Sequence, residues 1–362
     1  MRLGRFGRMG DKHFWQQKKV LITGHTGFKG SWLTLWLTSL GAHVTGYSSH
    51  APSNPYLFDV ADIATECCSV QGDINHFPQL LQVISEHQPE IIFHLAAQPL
   101  VQQSYTDPLH TFKTNVLGTV HLLEAARRTA SVRVIINVTS DKCYKNDGLG
   151  MRSFQESDPL GGHDPYSASK ACAELVTEAY RQSYFHEQLS YPRLASVRAG
   201  NVIGGGDWAA QRLFPDIVSA YTNSTRLSIR NPNAVRPWQH VLDPLHGYLQ
   251  LAEKCWDDAQ FAEAWNFGPV DQANVTVQEI IHMATASWGE QVELDAQDPT
   301  GTLYEAPVLV LNSSKSIHEL GWRPKLSTEE AVAWTVKWYQ QFIAGEDMKL
   351  VTQQQIHSFT NV

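Results

Sequence analysis

Short apolar runs alternate with stretches of helical spacing through the first half of the chain. Lys19-Val-Leu-Ile-Thr23 reads as a buried strand, and Ser31-Trp-Leu-Thr-Leu-Trp-Leu37 as the helix after it. His43-Val-Thr-Gly-Tyr47 and Cys67-Cys-Ser-Val-Gln71 predict a second and a third strand. A helix follows over Phe77 to His87. Ile91-Ile-Phe-His-Leu95 is the fourth strand, and Pro108 to Arg128 carries a long helix. Val134-Ile-Ile-Asn-Val138 is the fifth strand, Pro165 to Glu187 the next helix and Leu194 to Arg198 the sixth strand. Repeated β-α-β units imply a parallel sheet with right-handed crossovers and helices on both faces.

The second half is less regular. Gly204-Gly-Gly206 and Arg230-Asn-Pro-Asn-Ala-Val-Arg-Pro237 break it into loops and short pieces. Trp265-Asn-Phe-Gly268 reads as a strand end, and Thr276 to Ser287 as a helix. Thr328 to Ala344 is amphipathic, with Ala331, Val332, Trp334, Thr335 and Trp338 on one stripe. That stripe is expected to pack in a core. A smaller C-terminal lobe over the sheet's carboxyl edge follows. The stretch after Asp347 carries no clear pattern.

Composition narrows the class. The chain has 362 residues, 43% of them hydrophobic, which suffices for one large core with a smaller lobe. Net charge is −8, and no dense basic run follows the short Met1-Arg-Leu-Gly-Arg-Phe-Gly-Arg8 segment, so nucleic acid is not an expected partner. No apolar run approaches the roughly 20 residues of a membrane span. The N-terminus lacks an apolar stretch of secretory type, reads as a loose tail, and offers Met9 as an alternative start. The cysteines are Cys67, Cys68, Cys143, Cys172 and Cys255, an odd number without C-x-x-C, which fits reduced thiols and a cytoplasmic location. Cys143 is expected to be a packed small side chain. The histidines show no metal-ligand spacing, so no metal is expected.

Three motifs carry chemistry. Gly24-His-Thr-Gly27-Phe-Lys-Gly30 joins the first strand to its helix. Glycines there let the backbone approach a pyrophosphate, and the helix N-terminus supplies amides and partial positive charge. Tyr166-Ser-Ala-Ser-Lys170 places a phenol and an ammonium on one helical face. The positive charge is expected to lower the phenol pKa, so that Tyr166 can exchange a proton with a sugar or alcohol hydroxyl. Thr139-Ser140-Asp141-Lys142 follows the fifth strand, at a carboxyl end where open α/β sheets place their chemistry. A Tyr/Lys pair alone suggests hydroxyl oxidation; an added acid and amine suggest a second step.

Together these features resemble the extended short-chain dehydrogenase/reductase superfamily from about Lys18 to about Ala344. The implied fold is α/β, a Rossmann-type doubly wound parallel sheet with a smaller C-terminal α/β substrate lobe. Residues 1–17 would be a tail and 18–200 the NAD-binding domain, with 235–260 returning to it. Residues 201–350 would form most of the substrate lobe and 351–362 a second tail. Within the superfamily the chain is most similar to the CDP-glucose 4,6-dehydratases. The likeness rests on Thr139-Ser-Asp-Lys-Cys-Tyr144, Asp164-Pro-Tyr-Ser-Ala-Ser-Lys-Ala-Cys-Ala-Glu174, Arg198-Ala-Gly-Asn-Val-Ile-Gly-Gly-Gly-Asp-Trp208 and Arg236-Pro-Trp-Gln-His-Val-Leu-Asp243. The related dTDP-glucose dehydratases carry Thr-Asp-Glu where this chain has Ser140-Asp141-Lys142, which shifts the base from Glu to Lys142.

The resemblance implies intramolecular redox on CDP-glucose with NAD. Tyr166 would take the 4-hydroxyl proton as C4 gives hydride to NAD, with Ser140 bonding that hydroxyl and Lys170 assisting and holding the nicotinamide ribose. Lys142 would remove the C5 proton and Asp141 protonate the departing 6-hydroxyl. At a reference pKa of about 3.9, Asp141 needs burial to stay protonated. The dinucleotide would meet Gly24, Thr26, Gly27, Phe28, Lys29, Gly30, Ser48, Asp73, Ile74, Leu95, Ala96, Ala97 and Gln98. Ser104, Asn201 and Asn266 match positions that touch sugar or diphosphate, and Arg212 and Arg236 match diphosphate contacts. Asp73 has an alternative reading as a helix cap. The product would be CDP-4-keto-6-deoxyglucose, a precursor of deoxyhexoses for surface polysaccharide, and a homo-oligomer, dimer or tetramer, is expected. The rival readings are another nucleotide-sugar 4,6-dehydratase, a 4-epimerase, and an inactive NAD-bound sensor. Asp141 and Lys142 argue against the epimerase, and the intact Tyr/Lys pair against the sensor.

Overall fold

Seven strands pair in parallel in the computed structural model. It describes residues 12–49, 53–148, 152–185, 192–229, 231–270, 275–289, 294–296, 306 and 308–362. The strands are β1 (Lys19–Thr23), β2 (His43–Ser48), β3 (Cys68–Gln71), β4 (Ile91–His94), β5 (Val134–Val138), β6 (Arg193–Ala199) and β7 (Ala264–Phe267). Their order is β3-β2-β1-β4-β5-β6-β7. Thr23 pairs with His94 across β1 and β4, where the strand order reverses. A crevice beyond the carboxyl ends is expected at that switch point.

Alternation along the strands divides the two faces. Val20 and Ile22 join Trp32, Trp36 and Leu245 on one face. Leu21, Ile92 and Ile135 join Leu80, Ile84 and Leu122 on the other. Both faces are covered, so the strands read as unbroken apolar runs rather than alternating ones. Helix Phe28–Ser39 covers the first face; Phe77–His87 and Gly118–Arg127 cover the second. The long helix from Pro108 is not uniform, because Lys113–Leu117 forms a π-helical segment within it. The next helix runs Pro165–Tyr184; residues 186–191, which include the expected end at Glu187, lie outside the described residues.

A further core holds the lobe together. Phe214, Ile217, Ile280 and Ile281 pack there against Ala331, Val332 and Val336 of helix Thr328–Ile343. Further along the same helix, Trp338 and Tyr339 enter the core of the main sheet. The expected apolar stripe is therefore core, shared between two clusters.

Both expected tails carry ordered structure where they are described. Residues 348–361 form a helix, N-capped by Asp347, whose side chain accepts from the backbone of Lys349 and Leu350. Met348, Val351, Ile356 and Phe359 are buried from it into the main core, with Phe359 set edge-on to Trp36. Their helical spacing was diluted by Thr352-Gln-Gln-Gln355 between the apolar positions. Phe359→Ala should cost about 3–5 kcal/mol of stability, read by denaturant unfolding. A change below about 0.5 kcal/mol would restore the tail reading. At the other end Lys12–Trp15 is a helical turn, and the fully buried Trp15 donates through Nε1 to Glu253 at 2.6 Å. Residues 1–11, including the basic segment and Met9, lie outside the described residues. Among the described residues no helix is long and apolar enough to cross a membrane.

Candidate active site

The turn after β1 is shaped by close packing. Gly24 has φ +75°, and a Cβ there would lie 2.7 Å from the backbone N of Ala96. A Cβ on Gly30 would fall 2.2 Å from the Gly24 carbonyl oxygen. Only glycine allows both approaches. The turn is thereby seated on the Leu95-Ala96-Ala97-Gln98 segment after β4. Helix Phe28–Ser39 begins at Gly27 with no side-chain cap, so its first amides, including those of Phe28 and Lys29, are left to an external acceptor. Lys29 is half-buried beside them. Burial and the Arg212 charge push its pKa down to about 8. An anionic pyrophosphate fits this donor set.

Around the turn, polar groups are tightly assigned. Ser48 ends β2, and its hydroxyl hydrogen-bonds His25 Nδ1 at 2.9 Å and accepts from the Thr26 amide at 3.4 Å. His25 Nε2 meets Ser69 Oγ at 2.7 Å, and burial holds this imidazole down to about 4. The spacing gave no hint of His25, which lies in the glycine turn as a filler position. Residues 50–52, part of the segment expected to border the ribose, lie outside the described residues. The Asp73 carboxylate accepts from the Asn75 amide rather than capping the next helix, which starts after His76. Ile74 packs into the second-face core. The Gln98 side chain is bound by Leu100 of its own loop and by Thr111 of helix Pro108–Phe112.

The reactive groups come from a loop and a helix. Asp164 N-caps helix Pro165–Tyr184, accepting from the Ser167 amide at 2.9 Å, and Pro165 opens the first turn. Tyr166 and Lys170 are both buried on this helix. Lys170 Nζ donates to the Val138 carbonyl at 3.3 Å, tying the helix to the end of β5. Burial pushes Lys170 down to about 8, against the pull of Glu174. Burial raises the Tyr166 phenol to about 12, and a hydrogen bond with Ser140 offsets part of that rise. The expected lowering by Lys170 is thus corrected, because desolvation dominates and the charges that act on the phenol are those of Asp141, Arg212 and Asp164.

Ser140 and Asp141 act on the phenol from the turn after β5, and Lys142 follows them on the same turn. Ser140 caps this turn and donates to Asp141 Oδ1 at 2.9 Å. Burial raises the Asp141 pKa, against the charge of Lys142 and the Ser140 hydrogen bond. Asp141 Oδ2 is buried without a hydrogen-bond partner among the described residues. An acid so placed favours its protonated form. Lys142 and Arg236 both line the adjoining cleft, with Tyr144 and Leu309. Arg236 is buried and its charge reaches Asp141. Arg212 is held by Asp207 at 2.8 Å and its charge reaches Tyr166. Cys143 is fully buried, and burial keeps its thiol protonated.

Not every expected contact converges. Asn266 accepts from the Tyr144 hydroxyl at 2.7 Å and donates to the carbonyls of Phe154 and Asn312. Its side-chain amide is engaged within the fold. Ser104 is fully buried and donates to the Val101 carbonyl at 2.6 Å, so it too serves its own helix. Asn201 is half-buried, and its carbonyl receives the Gln239 amide.

The chain has relatives among known nucleotide-sugar enzymes. The GDP-mannose 4,6 dehydratase family model matches residues 21–335. The CDP-glucose 4,6-dehydratase of Salmonella typhimurium is 47% identical over 96% of this chain and 98% of its own. The dTDP-glucose 4,6-dehydratase of Streptomyces venezuelae, solved with NAD bound, superposes with a TM-score of 0.76 at 26% identity, covering 91% of this chain and 99% of its own. A UDP-glucose 4-epimerase of Thermotoga maritima gives 0.77 at 22% identity over 90% of this chain and 99% of its own, a likeness of fold. With a Rossmann-type sheet, a Tyr/Lys pair and an acid/amine turn on one crevice, the chain belongs to the nucleotide-sugar 4,6-dehydratase family of the short-chain dehydrogenase/reductase superfamily.

Proposed function

We propose that this protein dehydrates CDP-D-glucose to CDP-4-keto-6-deoxy-D-glucose with NAD as its cofactor. The carrying observation is the pairing of two functional sets: buried Tyr166 and Lys170 on one helix, and Ser140, Asp141 and Lys142 on the turn that faces it. Bound NAD would accept hydride from C4 and return it to C6, so no net reductant is consumed. Tyr166 takes the 4-hydroxyl proton, and Ser140 orients that hydroxyl. Lys142 removes the C5 proton that the 4-ketone acidifies. Asp141, kept protonated by burial, gives its proton to the 6-hydroxyl as it leaves as water. Arg236 and Arg212 hold the diphosphate through their planar donor forks. The choice of cytidine is supported by the 47% identical relative. Incubation with the CDP, dTDP, UDP and GDP forms of glucose tests the reading, with loss of water followed by mass spectrometry. Fastest turnover of CDP-glucose is expected. Preference for another base, or inversion at C4 without water loss, overturns it.

The cofactor preference has its own test. The segment Tyr47 to Pro55 offers no Lys or Arg to a 2′-phosphate, and the Ser48 hydroxyl sits at the end of β2 where a ribose hydroxyl would meet it. NAD should bind roughly tenfold or more tightly than NADP, since a missing charge-assisted contact is worth on the order of 1.5–3 kcal/mol. Calorimetry showing tighter NADP would end this assignment.

The wider setting is part of the same proposal. A cytoplasmic enzyme supplying deoxysugar precursors for O-antigen polysaccharide suits the product chemistry. Self-association is proposed through the exposed Leu109, Phe112 and Leu117 of one helical stretch and Leu175 of the neighbouring helix. Light scattering of the purified protein reads the mass directly, and a monomer at micromolar concentration would refute it.

A further inference from the structure

Tyr166, Lys170 and Glu174 follow one another at four-residue spacing, so one helical face carries all three. Glu174 lies beneath the reactive pair and is buried. Its Oε1 accepts from Thr139 Oγ1, and its Oε2 accepts from Ser196 Oγ at 2.8 Å and from Arg198 Nη2 at 2.8 Å. Arg198 is equally buried and donates through Nη1 to the Tyr144 hydroxyl at 2.9 Å and to the Glu156 carbonyl at 3.0 Å. The Tyr144 hydroxyl passes the chain on to Asn266 Oδ1.

Thr139 and Tyr144 bracket the four residues Ser140 to Cys143. Both ends of the turn that presents Asp141 and Lys142 are therefore fastened to one ion pair, and that ion pair stands on the helix that presents Tyr166 and Lys170. We propose that Glu174 and Arg198 are positioning residues that lock the acid/base turn to the Tyr/Lys helix, so that oxidation at C4 and elimination across C5–C6 are served in one substrate pose. The inference rests on the dehydratase reading above. Two steps on one sugar demand that the two sets of groups keep a fixed separation, because small misplacements of reacting groups are costly in rate. A buried carboxylate facing a guanidinium through several hydrogen bonds has a narrow range of geometries. Glu174 itself reflects this: burial alone would raise its pKa, yet Arg198 and the three side-chain hydrogen bonds hold it below the ordinary carboxylate value.

The test separates the two steps. Tyr144→Phe cuts the link between Arg198, the turn and Asn266 without burying a new charge. The double variant Glu174→Gln with Arg198→Met removes both charges together, which avoids stranding either one. Single-turnover mixing with CDP-glucose follows oxidation through the reduced-nicotinamide band, and deuterium entry at C5 with water loss follows elimination. Elimination should slow by roughly 10-fold to 100-fold in Tyr144→Phe, the scale of a misplaced catalytic group, while oxidation changes by less than about threefold. Arg198→Lys, which keeps the charge, should recover part of the loss. Equal slowing of both steps, or no change in either, overturns the positioning role, as would an Arg198→Lys variant no better than the double variant. Failure of the wild-type protein to dehydrate CDP-glucose would instead overturn the function on which this rests, so the two failures are distinguishable.

Discussion

Tyr166→Phe is expected to abolish oxidation at C4 while the fold and NAD binding persist. The ring is buried in the crevice and the phenylalanine fills the same space. On the proposed mechanism the variant loses the group that accepts the 4-hydroxyl proton, and a positioned acid/base of this kind contributes roughly 10²–10⁴ in rate. The raised phenol, at about 12, adds a pH signature. The proton-accepting form is the phenolate, so wild-type oxidation should climb with pH by up to about tenfold per unit below that pKa. Stopped-flow oxidation across neutral and alkaline pH, with calorimetry for NAD, measures both. Near-normal turnover of the phenylalanine variant would remove Tyr166 from the mechanism.

Asp141→Asn should stop the reaction at its midpoint. Asparagine keeps the size and can still accept from Ser140, but it has no proton to give the departing hydroxyl. Elimination should fall by roughly 10²–10⁴ while oxidation survives, because Tyr166 and Lys170 are untouched. The reduced-nicotinamide band would accumulate on mixing with substrate and decay slowly. Exchange at C5 with deuterated water should persist in this variant and disappear in Lys142→Met, which divides the acid from the base. Accumulation that is absent in Asp141→Asn, with normal product formation, would assign the proton to another group.

Much of this was visible in the chain itself, for identifiable reasons. The β-strands show as unbroken apolar runs because both faces of the sheet are covered, and Asp164-Pro165 announces its helix through cap chemistry. The glycine turn is legible because its packing tolerates no Cβ at Gly24 or Gly30. What spacing cannot carry is desolvation. It shows that Lys170 stands one helical turn from Tyr166, but not that burial raises the phenol. It also cannot tell a polar residue aimed at substrate from one consumed by its own fold, which is why Asn266 and Ser104 were expected in the site. The Tyr–Lys–Glu periodicity was there to be extended to Glu174, whereas its pairing with Arg198 depends on two segments meeting in space. The C-terminal helix was hidden by glutamines at half-buried and buried positions between its anchors.

Helix Thr328–Ile343 plants its first turns in the lobe and its last turns in the main core. The Tyr339 hydroxyl hydrogen-bonds the Asp207 backbone, and Asp207 in turn grips Arg212. A chimera that grafts a foreign specificity lobe at the apparent boundary near residue 200, and returns to the native chain before this helix, would split one packed unit between two parents. The lobe is better exchanged in blocks that carry residues 204–212 and 328–343 from the same donor, so that the arginine, its aspartate and the tyrosine beneath them travel as one piece.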